Sequence, residues 1–172
     1  VAMENGFVLQ IDYKNENKIL DILNSDLFND CLKRSFILRR KQLKNYGKDW
    51  KLYEVDIIKG YIFMEMIDLD LFKKKLSKCK EIFELNNHNK IRLVKLQKRD
   101  LGFLNKFNST VIDNSTGDIE NGKIVVKEGP LIGKEDLIRK VDRHKRLAFF
   151  NYKFSFDNYD ICLGLEIKNK TV

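Results

Sequence analysis

At 172 residues, 43% apolar and 34% charged, the chain has the length of one medium domain or two small ones and the composition of a protein that folds unaided. Its formal charge of +8 favours polyanionic partners, and the excess is uneven: residues 1–108 carry 22 lysines and arginines against 15 acidic residues, whereas residues 109–172 carry 11 against 10. Cys31, Cys79 and Cys162 are widely spaced, show no metal or redox spacing and fit a reducing cytoplasm; no apolar run approaches the roughly 18 residues of a membrane span, and no signal-peptide pattern opens the chain.

In chain order, Val1-Ala2 ahead of Met3 reads as a cloning remnant, and Phe7-Val8-Leu9-Gln10-Ile11 as a first strand. Residues 15–27 read as a helix with Ile19, Leu20, Leu23 and Leu27 on one face. Residues 34–38 and 50–55 are predicted strands, with a hairpin tip around Asn45-Tyr46-Gly47-Lys48-Asp49. Residues 60–66 are apolar enough for a central strand. Leu69, Phe72, Leu76 and Cys79 then form a helical stripe, with Asp68 as its N-cap and lysine on its other face. Leu101, Leu104 and Phe107 predict a last helix, whose beginning is placed at Val94-Lys95-Leu96-Gln97.

Residues 109–120 are polar and read as a short linker. Beyond it, Lys123-Ile124-Val125-Val126-Lys127 is β-branched and preceded by Asn121-Gly122, while residues 147–152 are aromatic and apolar. Ile161, Leu163, Leu165 and Ile167 alternate with Cys162, Gly164, Glu166 and Lys168, the period of a half-buried strand. Gly129 and Gly133 bracket a reversal needing positive φ, and Pro130, the only proline, presets one dihedral. Several short strands in the last third predict a small barrel.

Little here points to catalysis. His88 and His144 lack a partner at triad or metal spacing, Asp68 and Asp70 read as helix-start residues, and Gly117 and Gly122 do not form a phosphate-cradling loop. An enzyme is therefore not the expectation, and neither metal nor cofactor is implied.

The segment from Gly129 to Arg146, reading Gly-Pro-Leu-x-Gly-x-Glu and then Ile-x-Lys-Val-Asp-x-x-Lys-Arg, resembles the KOW domain of NusG-type transcription factors. Ile57-Ile58-Lys59-Gly60-Tyr61-Ile62-Phe63 is similar to a motif in the NGN domain of the same family, with Lys59 at a usual proline. Gly6-Phe7 stands where a tryptophan-led aromatic pair is common, and Asp136 where glycine is frequent. The resemblance is nearest to the specialised LoaP branch. It implies an α/β NGN domain over 1–108, mainly an antiparallel sheet with flanking helices, a linker over 109–120, and an all-β SH3-like KOW barrel over 121–172.

What the resemblance implies for function is a processive antiterminator that binds RNA polymerase and a structured leader RNA at particular long operons, acting as a cytoplasmic monomer. Ile58, Tyr61 and Phe63, with Gln10 at a usually aromatic position, match an apolar pocket for the clamp helices of the largest polymerase subunit; Phe72, Lys73 and Lys74 fall in the adjoining region. By residue type alone, Tyr61 and Phe63 also suit the core of the sheet. Lys14, Lys18, Lys75, Lys78 and Lys80 match a nucleic-acid face, although a solvated lysine face has the same composition.

Arg39, Arg40 and Lys41 in the hairpin, interleaved with Phe36, Tyr46 and Trp50, suit stacking on unpaired bases. Arg143, His144, Lys145 and Arg146 could extend that surface or meet a ribosomal protein or another transcription factor. A general elongation factor and a ribosome-associated KOW protein are the two alternatives.

Overall fold

The computed structural model describes residues 3–172; Val1 and Ala2 lie outside the described residues. In chain order it contains β1 (Gly6–Gln10), α1 (Glu16–Leu23), β2 (Leu32–Phe36), β3 (Arg39–Tyr46), β4 (Asp49–Asp56), β5 (Tyr61–Met66), α2 (Leu69–Lys78) and α3 (Lys80–Leu85). There follow β6 (Arg92–Lys95), α4 (Lys98–Phe107), β7 (Val111–Ile112), β8 (Ser115–Glu120), β9 (Lys123–Glu128), β10 (Ile138–Asp142), β11 (Leu147–Phe150) and β12 (Cys162–Thr171). The chain is thus a mixed α/β protein, mostly strands, in several sheets.

It divides into two compact units. One holds the chain up to Leu38 together with Lys59–Asn108; the other holds Arg39–Ile58 and Ser109–Val172. The basic hairpin therefore belongs with the C-terminal strands. It shifts the charge as well: the first unit carries 16 lysines and arginines against 12 acidic residues and the second 17 against 13, so each is net +4.

In the first unit, four antiparallel strands run in the order β2-β5-β1-β6. Alternation sorts their side chains: Phe7, Leu9, Ile62, Met64 and Met66 join one apolar cluster with Ile19 and Leu23 of α1, Phe72 of α2 and Ile82 of α3. Burying side chains of this size stabilises by about 1.5–3 kcal/mol each, which is what holds the helices on the sheet. Asp68 caps α2 as its sequence position predicts, accepting the Leu71 N–H at 3.0 Å.

Three boundaries differ from expectation. The first helix ends at Leu23, where Asn24 takes over, and Phe28 lies in a separate 3-10 turn. The residues ahead of the last helix form strand β6, and α4 starts only after Gln97, whose backbone N–H donates to Asp100 at 2.8 Å in a capping box. The hairpin is β3 with β4, paired from Arg39 opposite Asp56 to Tyr46 opposite Asp49, while β2 pairs with β5.

In the second unit, β10-β11-β12-β8-β9 form a five-stranded sheet, with β8 and β12 parallel and the other pairs antiparallel. The segment expected as a linker supplies β7 and β8 instead: Ser115 to Glu120 gain their backbone partners from Leu165 to Thr171, so the polar residues are ordered by the sheet edge they complete. β7 pairs with Arg39 and Arg40 of β3. At Gly164 a Cβ would come within 2.5 Å of the Lys41 carbonyl oxygen, so only glycine lets the hairpin backbone approach β12 this closely.

The Gly129 to Gly133 reversal has the positive φ its glycines imply, +99° and +74°. Asp136 is not among the left-handed residues and lies in a 3-10 turn, so a side chain in place of glycine meets no backbone obstacle there. Beyond the two glycines, the left-handed residue of this stretch is Arg146, at φ 57°.

Candidate nucleic-acid and partner interfaces

Sheet register places Gln10 opposite Tyr61 and Val8 opposite Phe63, on the face that the helix-packed side chains leave. Gln10, Tyr61 and Phe63 therefore do share one face. Arg92 ties its polar end together, donating to the Gln10 side-chain oxygen at 2.7 Å and to the Tyr61 hydroxyl at 3.2 Å. Phe63 stacks on Phe36 with ring centres 5.6 Å apart. Tyr61 and Phe63 are 2% and 0% exposed, so in this conformation neither is open to a partner. Ile58 is also buried and belongs to the second unit. Phe72, expected beside the partner region, is a core residue, 5.6 Å from Phe28.

Exposure separates the lysines of this unit. Lys14, Lys18, Lys73, Lys74, Lys78 and Lys80 are exposed. Lys75 instead turns to Asp30, 2.7 Å away, and donates to the Leu27 carbonyl as well. The hydrogen bond from Lys75 holds the Asp30 carboxyl below the ordinary carboxylate range. Lys75 is thereby a structural residue, because a phosphate would have to displace a bonded carboxylate.

Two hairpin arginines are likewise engaged. Arg39 pairs with Asp56 at 3.1 Å, and Arg40 is buried, donating to the Gln42 side chain at 2.7 Å and the Asp56 carbonyl at 3.3 Å. Releasing the half-buried Arg39 or the buried Arg40 for phosphate would leave the buried Asp56 carboxylate and its neighbours unpaired, at a cost. Lys41 is half-buried.

The second unit gathers a different set. A groove of about 440 Å³ runs between the hairpin and β11, with Lys44, Asn45 and Trp50 on one side and His144, Lys145 and Leu147 on the other. Gln42 and Leu43 complete it. Arg143, His144 and Lys145 are exposed, whereas Arg146 lies behind them, its guanidinium 3.5 Å from the centre of the Trp50 ring and its Nη1 2.6 Å from Glu166. This is a cation–π stack with an ion pair at its back. The hairpin also exposes Tyr46, 61% accessible, stacked on Tyr53 at 5.3 Å with Lys44 over the latter's ring.

Such a groove offers cations, side-chain amides and an aromatic edge, the combination that unpaired nucleotides use. Lys44 and Lys145 meet across it only because the hairpin folds onto β11 and β12, a pairing of residues about a hundred positions apart that no local pattern signals. Arg146 with Trp50 is another such pair.

Among the described residues, no group of three His, Cys, Asp or Glu could hold a metal ion, and no helix is long and apolar enough to cross a membrane. Burial raises the thiols of Cys31 and Cys162 above the ordinary cysteine range, which makes both poor nucleophiles. No protein-family model matches the chain, and a search of curated proteins likewise returns no match.

Proposed function

We propose that this protein is a NusG-like processive antiterminator of the LoaP type, which binds RNA polymerase through its first unit and holds a leader RNA through its second. The observation that carries the RNA half of this reading is the groove that Lys44, Trp50, His144 and Lys145 line together with two amide side chains. The polymerase half rests on the motif resemblance around Gly60-Tyr61-Ile62-Phe63, supported by the common face of Gln10, Tyr61 and Phe63. Docking of clamp helices there requires that face, buried in this conformation, to become accessible. The mechanism is stoichiometric: bridging the polymerase cleft disfavours pausing and termination, and no bond is made or broken.

RNA binding is tested by gel shift of the full chain with structured leader hairpins against scrambled RNA of equal length, across a salt series. Preference for the hairpin that persists as salt rises supports specific recruitment; equal affinity that falls uniformly with salt removes it. Losing both phosphate-reaching lysines in Lys44→Ala/Lys145→Ala should lower the log–log salt slope by about 1.4 for a single strand. Co-purification with ribosomes and not with polymerase would favour the ribosomal alternative.

A further inference from the structure

On the first unit, α2, α3 and β6 enclose a groove of about 390 Å³, whose apolar floor the reading above does not use. Its floor is Leu76, Cys79, Phe83, Ile91 and Leu93, and its rim carries Lys73, Lys80 and Lys90. Glu81 and Glu84 of α3 are not among its lining residues, so among the described residues every formal charge in its lining is positive. Phe83 remains 48% exposed although it makes an edge contact with His88, ring centres 4.6 Å apart. The volume falls within the range of about 300–1,000 Å³ typical of ligand sites.

We propose that this groove docks an acidic amphipathic peptide segment of a protein partner, with apolar side chains between Phe83 and Leu93 and carboxylates on Lys73, Lys80 and Lys90. The charge pattern selects the occupant. Three lysines and no carboxylate line this apolar floor, so an occupant with flanking carboxylates complements its charge while covering Phe83. A nucleic-acid strand fits less well, since its phosphates and sugars would desolvate over an apolar floor. This inference stands independently of the antitermination reading.

Cys79 supplies the assay. It lies in the groove and is partly accessible, whereas Cys31 and Cys162 are buried. A displayed library of short random peptides is selected on the full-length protein, and the enriched peptides are tested for protection of Cys79 against N-ethylmaleimide, with alkylation at each cysteine read by mass spectrometry.

The expected result is peptides of net negative charge with two or more large apolar residues, which slow Cys79 alkylation several-fold. Lys80→Glu/Lys90→Glu should weaken them about tenfold or more, mostly through slower association. These two lysines are exposed, and an unchanged thermal melt verifies folding. Phe83→Ser should weaken binding without changing the salt dependence. The proposal is overturned if no selected peptide protects Cys79, if protecting peptides are neutral or basic and indifferent to charge reversal, or if a uridine oligonucleotide protects Cys79 while the peptides do not.

Discussion

The guanidinium of Arg146 lies 3.5 Å from the centre of the Trp50 ring and is held there by Glu166, 2.6 Å from its Nη1. It fastens the β3–β4 hairpin to the C-terminal strands, because Trp50 belongs to β4 and Glu166 to β12. Arg146→Ala should therefore cost about 1–3 kcal/mol from the lost stacking and the partly buried pair. Because Arg146 has φ 57°, Arg146→Gly should be the milder variant, recovering about 1 kcal/mol of the left-handed strain that alanine retains. Urea unfolding read by Trp50, the only tryptophan, measures both; an alanine variant as stable as the parent would show that the stack holds nothing.

Gly129 and Gly133 separate two reasons for glycine. Both have positive φ, but a Cβ at Gly129 would stand 2.6 Å from Ser115 Oγ and 2.7 Å from its Cα, whereas one at Gly133 meets open space. Gly133→Ala should cost about 1 kcal/mol from backbone strain alone, and Gly129→Ala about 2–4 kcal/mol because β8 must also shift. Thermal melts that rank the two equally would contradict the close approach.

Asp30 gives a pH signature. Its folded carboxyl is held below the ordinary range, first by the Lys75 hydrogen bond, so its contribution to stability is complete above the unfolded value near 4 and is lost as pH falls through the lower folded value. Lys75→Met should raise the Asp30 titration toward the ordinary range and flatten the acid limb of stability. Carbon-detected NMR titration of the two proteins checks this, and an unmoved Asp30 curve in the variant would refute the pairing.

Much of this architecture follows from short-range pattern. Asp68 at the head of an apolar stripe marks the start of α2 because its carboxylate can reach the third N–H beyond it. Gly129 and Gly133 mark a turn because few other residues take positive φ. What stayed hidden depends on distant partners. Residues 115–120 are polar and carry a glycine, yet they form a strand because β12 offers a parallel edge fifty residues later. Strand β3 is so rich in arginine and lysine that its alternation is masked, and the more apolar residues 34–38 imitate the hairpin's first strand. The candidate groove shows the same division: each lysine is visible in the sequence, but Lys75, Arg39 and Arg40 are set apart from Lys44 and Lys145 only by carboxylates and carbonyls that tertiary structure brings to them.

The most direct measurement for the central claim is single-round transcription by bacterial RNA polymerase through an intrinsic terminator placed downstream of a leader hairpin, with and without the full-length protein. The account predicts a several-fold rise in readthrough that depends on the hairpin and is lost in Lys44→Ala/Lys145→Ala. Readthrough that is unchanged by the protein on hairpin templates would contradict it.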